Sequence, residues 1–126
     1  MKDPEEKEIM AYIAGLIDGD GHIGIKIGPR GKISPLIQFH NSMKQVSVYL
    51  NKLFGGTVAF DKPKKENDRV VWKWMLQGTE GCKSFLNKVM QFLVLKKDSA
   101  IHLMEFLSNP DNEKDYYQIS KDLNLN

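Results

Sequence analysis

Cysteine is almost absent. Cys82 stands alone in 126 residues, so no disulfide can close within the chain and no cysteine cage can hold zinc. Arginine is scarce too: Arg30 and Arg69 are the only two among eighteen cationic side chains, and the rest are lysine. No apolar run approaches the roughly 18–20 residues that a membrane span requires. The opening MKDPEEKEIM is acidic and has no secretory apolar core, so neither an anchor nor a signal peptide is expected. A lone thiol fits a reducing compartment, and the chain reads as an intracellular protein. Internal repeats and low-complexity tracts are missing. What is present, 41% hydrophobic and 27% charged residues over 126 positions, has the composition of one globular domain.

A net charge of +2 hides a strong division along the chain. Residues 1–21 and residues 98–126 each carry two lysines against six acids, a balance of −4 in both. Between them, residues 22–97 hold fourteen Lys/Arg against four acids, a balance of +10. A block this basic between acidic ends either keeps a lysine-rich surface solvated or forms a face for a polyanion.

Hydrophobic periodicity orders the elements. Pro4 and the acids after it predict a helix over 5–19, placed where the positive end of the helix dipole favours carboxylates. HIGIKIG then alternates, with Ile23, Ile25 and Ile27 on one face and His22, Gly24 and Lys26 on the other. After the turn residues Gly28, Pro29, Arg30 and Gly31, a second strand is expected over 32–42, with Ile33, Ile37 and Phe39 on the apolar face. Pro35 predicts an edge strand or a bulge there. A helix over 45–54 stops at Gly55 and Gly56. Strands over 57–61 and 69–76 flank the charged tip KPKKEND, their apolar faces being Val58/Phe60 and Val70/Trp72/Trp74/Leu76. Helices follow over 80–90 and from 96 or 97 to 107, then Asn109, Pro110 and Asp111 break the chain before a short amphipathic helix over 113–123.

Two hairpins require antiparallel pairing, so the fold expected is α+β: one four-stranded antiparallel sheet with the helices on its apolar face. The other face carries His22, Lys26, Lys32, Ser34, Gln38, His40, Arg69 and Lys73. These are donors and cations, suited to phosphates and base edges.

Within the first helix, Ala11, Gly15 and Gly19 recur at a spacing of four, opposite Ile9, Ile13, Leu16 and Ile17. Each glycine in a helix costs roughly 1 kcal/mol against alanine, so something comes close to this stripe. It is either the protein's own sheet or the same stripe of a two-fold partner. A dimer axis at Gly19 would bring Asp18, Asp20 and their copies together, and such carboxylates call for a hard divalent cation, Mg²⁺ above all.

The nonapeptide Ile13-Ala14-Gly15-Leu16-Ile17-Asp18-Gly19-Asp20-Gly21 resembles the LAGLIDADG signature of homing endonucleases, with Ile for the first Leu and Gly for the second Ala. The element order over about 5–107 is similar to that family's αββαββα core, whose sheet forms a saddle; the segment 108–126 is then a C-terminal helical tail of a single domain spanning 1–126. The resemblance implies a site-specific, intron-encoded endonuclease that hydrolyses phosphodiester bonds of double-stranded DNA at a long pseudo-palindromic site. It implies that the motif helices, through Ala11, Gly15 and Gly19, form the dimer interface; one motif copy implies a homodimer. Asp20 would bind catalytic metal with help from the Gly19 carbonyl. The metal would be Mg²⁺, with Mn²⁺ as a substitute and Ca²⁺ binding without cleavage. A basic residue before the last core helix would stand near the scissile phosphate, here Lys96, with Lys97 the competing neighbour. The family often places a glutamine at the end of the second strand to position the attacking water; this chain has Asn41-Ser42, so Ser42 is the matching candidate.

Asp18 either ties neighbouring backbone or touches the metal. Arg30, Gln38 and Arg69 are the best base-reading candidates, whereas Lys26, Lys62, Lys64, Lys65 and Lys73 suit phosphates. His22 and His40 read as groove contacts or structural hydrogen bonds, and His102 as a helix-face residue. A second reading keeps the scaffold without cleavage: an intron RNA maturase, with RNA as partner, or a DNA-binding regulator. Either protein would work inside an organelle or a prokaryotic cytoplasm, and the preference for lysine over arginine fits an A·T-rich genome.

Overall fold

The motif helix turns directly into the first strand, and that junction organises the molecule. A computed structural model describes residues 5–61 and 70–108. Helix α1 (Glu6–Asp20) runs without a linker into β1 (Gly21–Ile27). A Cβ at Gly21 would lie 2.8 Å from the Ile17 Cα and 2.9 Å from its carbonyl oxygen, backbone atoms that cannot move aside. The last glycine of the nonapeptide is therefore a steric requirement of this corner.

A tight turn over Pro29–Gly31 leads into β2 (Ile33–Asn41), and α2 (Lys44–Phe54) follows. Gly55 and Gly56 end that helix at φ of 78° and 100°, values suited to glycine. Strands β3 (Thr57–Asp61) and β4 (Val71–Gln77), helix α3 (Thr79–Val89) and helix α4 (Lys97–Ser108) complete the described chain. All three strand pairs are antiparallel, in the order β1-β2-β4-β3, so the expected α+β architecture is the one observed. The tip carrying Lys62, Lys64, Lys65 and Arg69, and the tail with its expected helix over 113–123, lie outside the described residues.

Alternation along β1, β2 and β4 sends Ile23, Ile25, Ile33, Ile37, Phe39, Trp74 and Leu76 into one core with Ile13, Ala14 and Ile17 of α1 and Phe85 and Leu86 of α3. Each such large apolar side chain contributes about 1.5–3 kcal/mol when fully buried. Trp74 sits at the centre, its indole N–H donating to the Gly55 carbonyl at 2.8 Å and its ring 5.9 Å from that of Phe85. Cys82 is buried here as well. Burial pushes its thiol up to about 12, and the S–H donates to the Leu76 carbonyl at 3.5 Å. Native protein is accordingly expected to resist alkylation at neutral pH and to react only once unfolded, which mass spectrometry after pulse labelling will read.

Three sequence expectations shift. β2 is an interior strand, although Pro35 pointed to an edge or a bulge. β4 pairs with β2 only from Leu36 to Asn41, so Pro35 has a neighbour on the β1 side alone, opposite Ile25. Ile27, at the far end of β1, is 49% exposed despite sharing the parity of Ile23 and Ile25, and Phe60 and Val70 are also exposed. Lys32 belongs to the turn, one residue before β2 begins. No described helix is long and apolar enough to cross a membrane.

Candidate nuclease site

The exposed end of α1 carries a concentration of negative charge. Its last turn holds Asp18 and Asp20 and no basic residue, at the end where the helix dipole is itself negative. Two segments distant in sequence converge on this end and answer that charge. The Asp18 carboxylate accepts from the backbone N–H of Val94 at 2.8 Å through Oδ2 and from that of Lys96 at 3.0 Å through Oδ1. Lys96 Nζ donates to the Asp18 carbonyl at 3.0 Å. The Asn41 side chain, at the end of β2, donates from Nδ2 to Asp20 Oδ2 at 3.3 Å and accepts from the Met43 N–H at 2.8 Å through Oδ1. Asp20 itself is exposed.

His22, two residues on and half-buried at the start of β1, is held below the usual histidine range by burial first, then by the positive charges of Lys96 and His40. The register that sets Gln38 opposite His22 and Phe39 opposite Gly21 brings His40 and Asn41 to the same end of the sheet, and Lys96 is bonded to the end of α1, so the corner gathers Asp18, Asp20, His22, His40, Asn41 and Lys96. Of the two lysine candidates, Lys96 is part of this corner, whereas Lys97 is exposed as the first residue of α4. Of the pair Asn41–Ser42, the side chain bonded to Asp20 is that of Asn41; Ser42 lies exposed in the bend that follows. The resemblance points to Ser42, one residue beyond the side chain that bonds Asp20. The usable signal was a carboxamide at the end of a strand whose register ends beside the motif, with Phe39 opposite Gly21.

Among the described residues, no three or more His, Cys, Asp or Glu side chains gather around one point as a complete metal cage. The donor present is an exposed carboxylate at a helix end, oxygen chemistry that fits a hard divalent ion. Gly19, exposed beside it, offers a backbone carbonyl.

The outer face of the sheet leads away from this corner. His22 pairs with Gln38, Lys26 with Ser34, and His40 with Lys73, giving cross-strand rows of donors and cations on β1, β2 and β4. Lys26 and Lys32 are exposed; Ser34, Gln38, His40 and Lys73 are partly so. The face is not uniformly polar, since Leu36 and Met75 also belong to it by alternation. Arg30 stands at the hairpin tip with φ 64°, a left-handed conformation that costs a non-glycine residue about 1–2 kcal/mol. Replacing it by glycine should therefore raise thermal stability, measured by calorimetry.

Along α1, Ala11, Gly15 and Gly19 are exposed, while Ile13, Ala14 and Ile17 face the core. Among the described residues, nothing lies within 4 Å of a Cβ built at Gly15 or Gly19. Close packing on the protein's own sheet therefore does not account for these glycines.

No protein-family profile matches the chain, and no curated protein matches it in sequence. Solved structures do. The homing endonuclease I-CvuI, in complex with its target, superposes with a TM-score of 0.71 at 24% identity, over 87% of this chain and 72% of that one. The archaeal intron-encoded homing endonuclease I-Vdi141I, complexed with DNA, gives 0.64 at 21% identity, over 86% of this chain and 72% of that one. The LAGLIDADG homing endonuclease I-LtrWI, bound to target DNA, gives 0.64 at 16% identity, over 89% of this chain but 40% of the longer one. The fold is that of the LAGLIDADG homing endonucleases, the family whose signature the nonapeptide resembles.

Proposed function

We propose that this chain is a site-specific double-strand DNA endonuclease of the homing type, working as a homodimer with a divalent metal on a pseudo-palindromic site. The observation that carries the reading is the convergence of Asp20, Asn41 and Lys96 where the exposed end of α1 meets the donor-bearing face of the sheet. Binding and chemistry are then adjacent: a duplex lying along the strands would bring its backbone to that corner.

The residues divide the work. Asp20, with the Gly19 carbonyl and their copies in a second protomer, would hold Mg²⁺, which supplies an activated water and charge neutralisation at the phosphate. Asn41, bonded to Asp20, fixes the direction in which the carboxylate presents its free oxygen. Lys96 brings a positive charge to the same corner, where a developing phosphorane charge is stabilised by a group already in place. A neutral His22 can accept or donate one hydrogen bond without adding to the positive charge of Lys96. On the sheet, Lys26, Lys32 and Lys73 serve affinity, while Gln38 and Arg30 are suited to paired contacts with adenine and guanine.

Incubating the purified protein with a randomised duplex library in Mg²⁺, with Ca²⁺ as the non-cleaving control, tests this. Sequencing of cut ends is expected to return one pseudo-palindromic site. Binding in Ca²⁺ should weaken steeply with salt, by a log–log slope of about 0.9 for each phosphate neutralised. Salt-sensitive selection of a site without any cutting would make the chain a binding module on the same scaffold. A flat salt response would remove the sheet face from the reading.

A further inference from the structure

The linker over residues 94–96 joins buried Leu93 to α4, whose first turn opens with the Ala100 N–H donating to the Lys96 carbonyl at 3.0 Å. Leu93 and Ala100 are buried, but Val94 and Leu95 between them are 79% and 77% exposed. Lys96 sits in this span, so apolar packing does not determine where its ammonium lies. Asp18 ties this linker to α1 across 76 and 78 positions of sequence, with one carboxylate oxygen on each of two backbone N–H groups. Hydrogen bonds from N–H groups to a carboxylate are roughly twice as strong as neutral ones. The reciprocal bond, Lys96 Nζ to the Asp18 carbonyl, uses one of the orphan carbonyls that a helix end leaves open.

We infer that Asp18 is a positioning residue: its carboxylate clamps the backbone at Val94 and Lys96 so that the Lys96 ammonium is held at the end of α1 beside Asp20. Each Asp18 oxygen already accepts from a backbone donor, whereas Asp20 is exposed with one oxygen on Asn41, so the metal role is assigned to Asp20. Because the Lys96 ammonium bonds to a carbonyl and not to the carboxylate, its charge stays available to an incoming phosphate. This assignment rests on the nuclease reading for its catalytic consequence, but the clamp itself is a property of the protomer.

Asp18→Asn is nearly isosteric and retains one oxygen. Its amide nitrogen would face a backbone N–H, so one of the two bonds is lost. Hydrogen exchange of the Val94 and Lys96 amides in the metal-free protein is expected to accelerate at least tenfold, with the α1 and β1 amides unchanged. Unchanged protection at 94 and 96 would overturn the clamp, whether or not the protein cuts DNA. For the catalytic consequence, Asp18→Asn and Lys96→Ala should each lower the single-turnover cleavage rate at least tenfold while duplex affinity in Ca²⁺ stays within about twofold. The double variant should be no slower than Lys96→Ala alone, because a misplaced lysine and a missing one are the same defect. Losses that multiply would show Asp18 acting independently of Lys96 and overturn the assignment. So would a loss of Ca²⁺ binding in Asp18→Asn, which would make Asp18 a metal ligand. If the wild-type protein cuts nothing, the nuclease reading and with it the catalytic role fall, while the exchange result still decides the clamp.

Discussion

Asp20→Asn is expected to yield a protein that still binds its duplex and no longer cuts it. The substitution keeps the size and one acceptor oxygen of the side chain, so the contact with Asn41 can be remade with the amide oxygen accepting. The negative charge is lost at the exposed carboxylate of the corner, and an amide oxygen without that charge holds a divalent ion more weakly than a carboxylate does. Removing one preorganised electrostatic element costs two to three orders of magnitude in rate in well-studied enzymes. Here the loss should be at least about 10³-fold, because the side chain serves the metal directly. Single-turnover cleavage in Mg²⁺, with affinity measured separately in Ca²⁺, reads both halves of the expectation. Full retained activity would take Asp20 out of the mechanism.

Gly15→Leu should separate stability from function in the opposite sense. Among the described residues nothing lies within 4 Å of the new Cβ, and the helix gains by losing a glycine, by something approaching 1 kcal/mol. The isolated protomer should therefore melt at a higher temperature than before. Two copies meeting along Ala11, Gly15 and Gly19 could no longer bring their backbones together, so light scattering should report a monomer and cleavage of both strands should vanish. A variant that remains dimeric and active would mean that the glycines serve something other than self-association.

Local pattern and long-range geometry divide what could be read in the sequence. Strict alternation in HIGIKIG and in the Trp72–Leu76 run placed strands β1 and β4, and Gly55-Gly56 marked the end of α2, because these are short-range steric rules. The nonapeptide identified α1 and Asp20. The ends of the hairpins misled, since alternation fixes the side of the sheet on which Ile27 and Phe60 lie but not whether a helix reaches far enough to cover them. Pro35 misled for a related reason: a strand can be interior over Leu36–Asn41 and one-sided a residue earlier, and only the register shows it. The corner at Asp20 was half legible. Lys96 was found by its place before α4, but the Asp18 clamp joins residues 76 and 78 positions apart and leaves no periodic trace. Asn41 is legible in the sequence only as the neighbour of Ser42, and the β1–β2 register brings its side chain to the carboxylate.

The most direct measurement is a crystal of the protein with its selected duplex and Mn²⁺, read by anomalous scattering. The account predicts two protomers on one duplex, their α1 helices in contact, with anomalous peaks at coordination distance from the Asp20 carboxylates and beside a backbone phosphate on each strand. A single protomer on the DNA, or metal bound away from Asp20 while that carboxylate points into solvent, would contradict it.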